Sequence, residues 1–117
     1  MNIEAVKSLF TLFTGENDVE NYMPIIELAI SEVQKSLVPG ADIGDTRLGF
    51  LCAATANFRL CQINAARDRT ATTIGGKMLT PDTGGGILAH AEKLLMDYME
   101  LCEDLITSKA FMFIANA

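Results

Sequence analysis

The side chains with the most chemistry to offer are three cysteines, Cys52, Cys61 and Cys102, and one histidine, His90. A structural zinc site draws its ligands from paired spacings such as C-x-x-C, with histidines close by. These thiols stand singly inside apolar helical segments, and His90 cannot complete a set. They read as small buried hydrophobes in a reducing compartment. Nucleophilic catalysis needs a hydroxyl or thiol, a base and an orienting carboxylate that converge. Ser8, Ser31, Ser36 and Ser108 lie in no nucleophile motif, and His90 falls at the edge of a polar helical face. No catalytic residue, metal ligand or cofactor is therefore expected.

Phosphate and calcium motifs fail on single positions. Gly75-Gly76-Lys77 has the ending of a phosphate-binding loop, but Ala71 stands where that motif needs its first glycine, and Met78 stands where it needs Ser or Thr. Gly84-Gly85-Gly86 precedes a helical pattern without a following cation and reads as a flexible link. Asp42-Ile43-Gly44-Asp45 lacks the alternating oxygens and distal glutamate of a calcium loop and reads as turn and cap. Asp97, Glu100 and Asp104 share one helical face and read as a solvated surface.

The 117 residues carry 15 acidic and 9 basic side chains, a net charge of −6. Because Lys and Arg are scattered singly, no basic footprint for phosphate neutralisation exists, and sequence-specific nucleic-acid binding is not expected. No apolar run approaches the roughly 20 residues of a membrane span. The first apolar stretch, residues 3–13, is interrupted by Glu4 and Lys7 and does not read as a secretory signal. Half the residues are apolar, but aromatics are few, and Leu, Ile, Ala and Met dominate. That balance favours helices packed on helices in one domain spanning residues 1–117.

Stepping along the chain, Asn2 caps a first helix in which Ile3, Val6, Phe10 and Phe13 recur at helical spacing until Thr14 and Gly15. Pro24 marks the first turn of a second helix, with Asn21 as its expected cap. Ile26, Ala29, Ile30, Val33 and Leu37 form its apolar face, and Pro39-Gly40 ends it. Asp45 or Thr46 caps a third helix over residues 47–68. Its apolar residues spread around the whole circumference, with Arg59 among them, which either pairs with a carboxylate or reaches solvent along its stem. Residues 69–86 break the helical pattern. The threonines and isoleucine around Gly75-Gly76 predict a short extended segment or hairpin. A fourth, broadly amphipathic helix is expected over residues 87–106, followed by the apolar tetrad Phe111-Met112-Phe113-Ile114, which needs something to tie it down. The expected fold is mainly α, a small four-helix domain with an extended insertion between helices three and four and a strand-like C-terminal tail.

Three stretches carry a family resemblance: Ile25-Ile26-Glu27-Leu28-Ala29-Ile30-Ser31-Glu32-Val33, the strand-like Thr73-Ile74-Gly75-Gly76-Lys77-Met78-Leu79, and Phe111 to Phe113 after the last helix. In this order the chain resembles the small helical head-tail connector, or adaptor, proteins of tailed bacteriophages and prophages. The resemblance implies a non-enzymatic structural protein that forms a homo-oligomeric ring beneath the portal. Such a ring extends the DNA channel and offers a platform to tail or head-completion proteins. It also implies assembly in the bacterial cytoplasm and residence in the virion. A closed ring needs two different sticky faces per subunit. The all-round apolar third helix, the stripe of the fourth, the insertion at residues 70–80 and the tail are the candidates. Arg59, Ile74, Met78, Leu79, Phe111 and Phe113 are the candidate subunit-interface residues. The alternative is a small cytoplasmic helical interaction or regulatory module that binds one partner through the same surface.

Overall fold

Asn2 sets where the chain first becomes helical, because its Oδ1 accepts hydrogen bonds from the backbone N–H groups of Glu4 and Ala5 at 3.1 and 3.3 Å. In the computed structural model, which describes residues 1–74 and 82–107 and gives only the backbone of 68–74 and 82–85, this cap opens α1, Ile3–Thr14. Gly15 closes it in the left-handed conformation at φ 75°, a geometry that costs glycine little.

A 3-10 turn, Val19–Tyr22, leads straight into α2, Met23–Ser36, with Pro24 in the first turn as expected. Asn21 is not the cap. The chain is already helical there, and the Asn21 amide donates to Asp18 Oδ2 at 2.6 Å. Beyond α2 the chain turns through Gly40 (φ 81°) to Asp45. The Asp45 Oδ1 accepts from the Arg47 backbone N–H at 2.9 Å, so Asp45, rather than Thr46, caps α3.

Helix α3 runs over Thr46–Ile74 and α4 over Asp82–Leu101. Both bounds narrow the expected insertion from its two ends, and its centre, Gly75 to Leu79, lies outside the described residues. Residues 70–74 continue α3 instead of forming an extended segment, and Gly84 to Gly86 lie in the opening turns of α4 instead of a loose link. Adding residues to an existing helix avoids the cost of nucleation, and threonine loses only a few tenths of a kcal/mol to better helix formers. Glycine costs about 1 kcal/mol in a helix interior but less near the start, where the N–H groups have no partner in the helix. Met78 and Leu79 lie outside the described residues.

At its other end α4 stops at Leu101, earlier than the amphipathic pattern suggests. Tight turns over residues 102–105 bring Ile106 into an antiparallel bridge with Leu37. Val38 N–H donates to Leu105 O at 2.9 Å and Thr107 N–H to Ser36 O at 2.7 Å. This latch joins the ends of α2 and α4. The strand-like tail, with Phe111 and Phe113, lies beyond the described residues.

The core explains the unusual pattern of α3. Helices α1, α2 and α4 pack mainly on α3 and little on one another. Every residue from 51 to 58 is buried, including Leu51, Cys52 and Phe58. Ala53, Ala54 and Ala56 keep parts of that surface thin, so the surrounding helices can approach closely. The outer helices contribute Val6 and Phe10, then Ile26, Ala29 and Val33, then Ala91 and Leu95. Buried hydroxyls are satisfied locally: Thr55 Oγ1 donates to Leu51 O and Ser36 Oγ to Val33 O, each at 2.7 Å. The apolar circumference of α3, expected as a possible subunit interface, is thus covered over residues 51–58 by the chain's own helices.

Candidate functional site

Arg59 pairs with a carboxylate of its own chain. Its Nη2 donates to Glu32 Oε1 of α2 at 2.7 Å, and its Nη1 donates to Gln62 Oε1 at 3.0 Å. About a quarter of each charged side chain is exposed, 25% for Arg59 and 23% for Glu32. The pair therefore closes the α2/α3 seam near its rim. Ile74 is the last residue of α3, where only the backbone is described. Of the six candidate interface residues, Met78, Leu79, Phe111 and Phe113 lie outside the described residues.

A partly exposed apolar line does exist on α4. Ile87, Leu94 and Leu101 recur every seven residues, and two turns of helix bring each back to nearly the same line. Ile87 and Leu101 are 55% and 52% exposed, while Leu94 packs partly on the core. Beside this line Tyr98 stacks on Phe50 of α3 (centroids 5.4 Å apart) and meets Phe13 of α1 at 5.9 Å. The stripe is therefore mounted on an aromatic contact among three helices. Asp97 and Glu100 are exposed nearby, so charge borders it.

The strongest electrostatic arrangement is one that sequence reasoning missed. Arg47, in the first turn of α3, donates through Nε and Nη2 to Asp45 at 3.1 and 2.9 Å. It donates through Nη1 and Nη2 to Asp104 at 2.9 and 3.1 Å. The same Nη1 reaches Leu101 O, the last carbonyl of α4, at 2.9 Å. One guanidinium thereby ties the start of α3 to the end of α4. Hydrogen bonds from Arg47 side-chain nitrogens lower the pKa of both Asp45 and Asp104, and the two carboxylates raise that of Arg47. The signal available in sequence was Asp45 two residues before Arg47; nothing local marks Asp104.

That clamp makes stability depend on acid. Both carboxylates bind protons less readily in the folded chain than at their ordinary value of 3.8. Their contribution is therefore complete above that value and is lost as pH falls through the lowered folded values. Thermal unfolding between pH 7 and pH 2 should show Tm falling below about pH 4. Arg47→Met should lower Tm at neutral pH and flatten the acid limb. An unchanged acid limb in that variant would show that other groups control it.

Cys52 and Cys102 are buried as expected, whereas Cys61 is only half-buried. Burial pushes the Cys52 thiol up to about 12, and it raises Cys61 and Cys102 as well. Cys52 Sγ lies 3.4 Å from Met1 Sδ, and Cys102 Sγ donates to Arg47 O at 3.6 Å. In the folded protein at pH 8 an alkylating reagent should modify Cys61, which is half-buried, well before the other two, and denaturant should equalise all three. Mass mapping of labelled peptides reads the order.

A cleft of about 460 Å³ lies between the first turns of α1 and the loop entering α3, lined by Leu9, Ile43 and Gly49 among others. Its carboxylate, Asp45, is already held by Arg47. Among the described residues no group of three or more His, Cys, Asp or Glu is placed to hold a metal ion, and no helix is long and apolar enough to cross a membrane. His90 is exposed on α4. The arrangement offers surfaces and structural ion pairs. The chain matches no protein-family model, no curated protein and no solved structure.

Proposed function

We propose that this chain is a non-enzymatic structural subunit of a phage or prophage particle that associates with copies of itself into a ring joining the portal or head to the tail. The observation that carries the assembly part of this reading is the seven-residue line of Ile87, Leu94 and Leu101 on α4, whose two ends the fold leaves exposed while Leu94 packs partly on the core. An apolar line of that spacing is the kind of surface that another helix covers. The resemblance of the helix pattern to head-tail connectors supplies the ring and its place beneath the portal. A net charge of −6 suits a conduit that must not retain DNA.

Light scattering of the purified chain, alone and mixed with a portal protein, tests the proposal. Self-association in either sample is the expected result. Monomer in both samples at high concentration would overturn it. A discrete complex with one unrelated partner, without self-association, would favour the helical interaction module instead.

A further inference from the structure

We infer that α4 pairs with α4 of a second copy of this chain, the two helices antiparallel about Leu94, with Ile87 against the partner's Leu101 and His90 against the partner's Asp97. The inference rests on the self-association proposed above and gives it a geometry.

The apolar line is symmetric about its middle. Ile87 and Leu101 each stand seven residues, about 10.5 Å, from Leu94. Turning a second copy end over end about Leu94 therefore sets Leu94 on the partner's Leu94, and each exposed end of the line on the opposite end of the other. Ile87 and Leu101 are more than half exposed in the single chain, so both have apolar surface to remove from water. On the side of the core the line is bordered by Ala91, which is buried, and by Tyr98, which is engaged with Phe50 and Phe13. That border is set by the chain's own packing.

The other border selects what covers the line. At about 100° per residue, His90 and Asp97 lie within about 60° of Leu94 on its solvent side, and both are exposed. His90 precedes Leu94 by four residues and Asp97 follows it by three, about 6 Å and about 4.5 Å along the axis. In an antiparallel pair with a two-fold axis at Leu94, each flank of one helix meets the same flank of the other. His90 then faces the partner's Asp97 with an axial offset of about 1.5 Å, and the contact occurs twice. An imidazole N–H donates and a carboxylate accepts, so the two groups match. Lys93 Nζ donates to Asp97 Oδ1 at 3.0 Å within the same helix, and Oδ2 is the atom that can accept from the partner. A parallel pair would instead set Asp97 against the partner's Asp97, and like charges so placed disfavour it. The charge pattern therefore favours a second copy as the occupant and antiparallel as its direction. A two-fold contact closes at two subunits, so a ring would join such pairs through a further surface.

Cysteine cross-linking of the full chain tests the geometry. In a Cys61→Ser background, which removes the half-buried thiol, Ile87→Cys and Leu101→Cys are made singly and oxidised in air with copper phenanthroline, separately and mixed. The disulfide should form between the two variants in the mixture and within neither variant alone. Cross-linked dimers of each variant with itself would show a parallel pair. Self-association in sedimentation without either cross-link would place the contact elsewhere. Both of these results overturn the inference and leave the self-association reading standing, whereas monomer at every concentration removes both. Charge reversal gives a second readout with the native cysteines in place. His90→Glu should weaken association about tenfold, and adding Asp97→Lys to it should restore most of that loss. A double variant as weak as His90→Glu alone would rule out the contact of His90 with the partner's Asp97.

Discussion

Phe58→Ala is expected to bring the protein close to the limit of its stability. The ring is 2% exposed on the central helix, and truncation of a phenylalanine so placed removes its buried area and leaves a void that surrounding helices fill only in part. A loss of about 3–5 kcal/mol is expected, against about 5–15 kcal/mol for a whole domain. Urea titration followed by circular dichroism should show the midpoint falling by a third or more, with an unfolded fraction detectable near 37 °C. Leu12→Ala is the matched control. Leu12 is 73% exposed on α1, and its truncation should shift stability by no more than about 0.5 kcal/mol. Similar losses in the two variants would mean that α3 is not the centre of the core.

The second large effect concerns assembly. Ile87→Glu with Leu101→Glu places two charges on the exposed line of α4 while leaving Ala91 and Leu95, its buried contacts with the core, untouched. Burying a carboxylate without a partner costs several kcal/mol, so an interface that covers this line should fail at both positions. The double variant should remain helical and run as monomer where the parent protein associates. Sedimentation velocity at several concentrations distinguishes the outcomes. If the variant assembles like the parent, the subunits meet elsewhere and the stripe has another use.

Much of the helical framework was legible because its signals are local. Asn2 and Gly15 bound α1 where their side-chain and backbone preferences say they should, and Pro24 falls in the first turn of α2. Asp45 was readable as a cap for the same reason. The boundaries between α3 and α4 were not legible, since Thr72, Thr73 and Gly84 to Gly86 disfavour a helix by less than a continuing helix gains. Arg59 within an apolar surface left two outcomes open, a carboxylate partner or solvent, and only the fold selects Glu32. Arg47 gave no such warning. Its second carboxylate, Asp104, is 57 residues away, and a bond of that span is a property of packing. The full circumference of apolar residues on α3 had two readings, core or interface, and the choice depends on whether three short helices can surround it. They do so over residues 51–58 because alanines in that stretch leave them room.

Having one helix as the common partner of all the others also orders events during synthesis. A ribosome that has released α1, α2 and α3 has produced a chain in which the side of α3 meant for Ala91 and Leu95 is still open to water, and α1 and α2 make too few contacts with each other to stand alone. The loop end of α2 is equally incomplete, because its backbone partners are Leu105 and Thr107. The complete fold therefore has to wait until residue 107 has cleared the exit tunnel, and until then the nascent chain presents the uncovered side of α3 to whatever chaperone meets it. Arrest of translation before α4 emerges should yield a protease-sensitive chain, and arrest with residue 107 well outside the tunnel a resistant one.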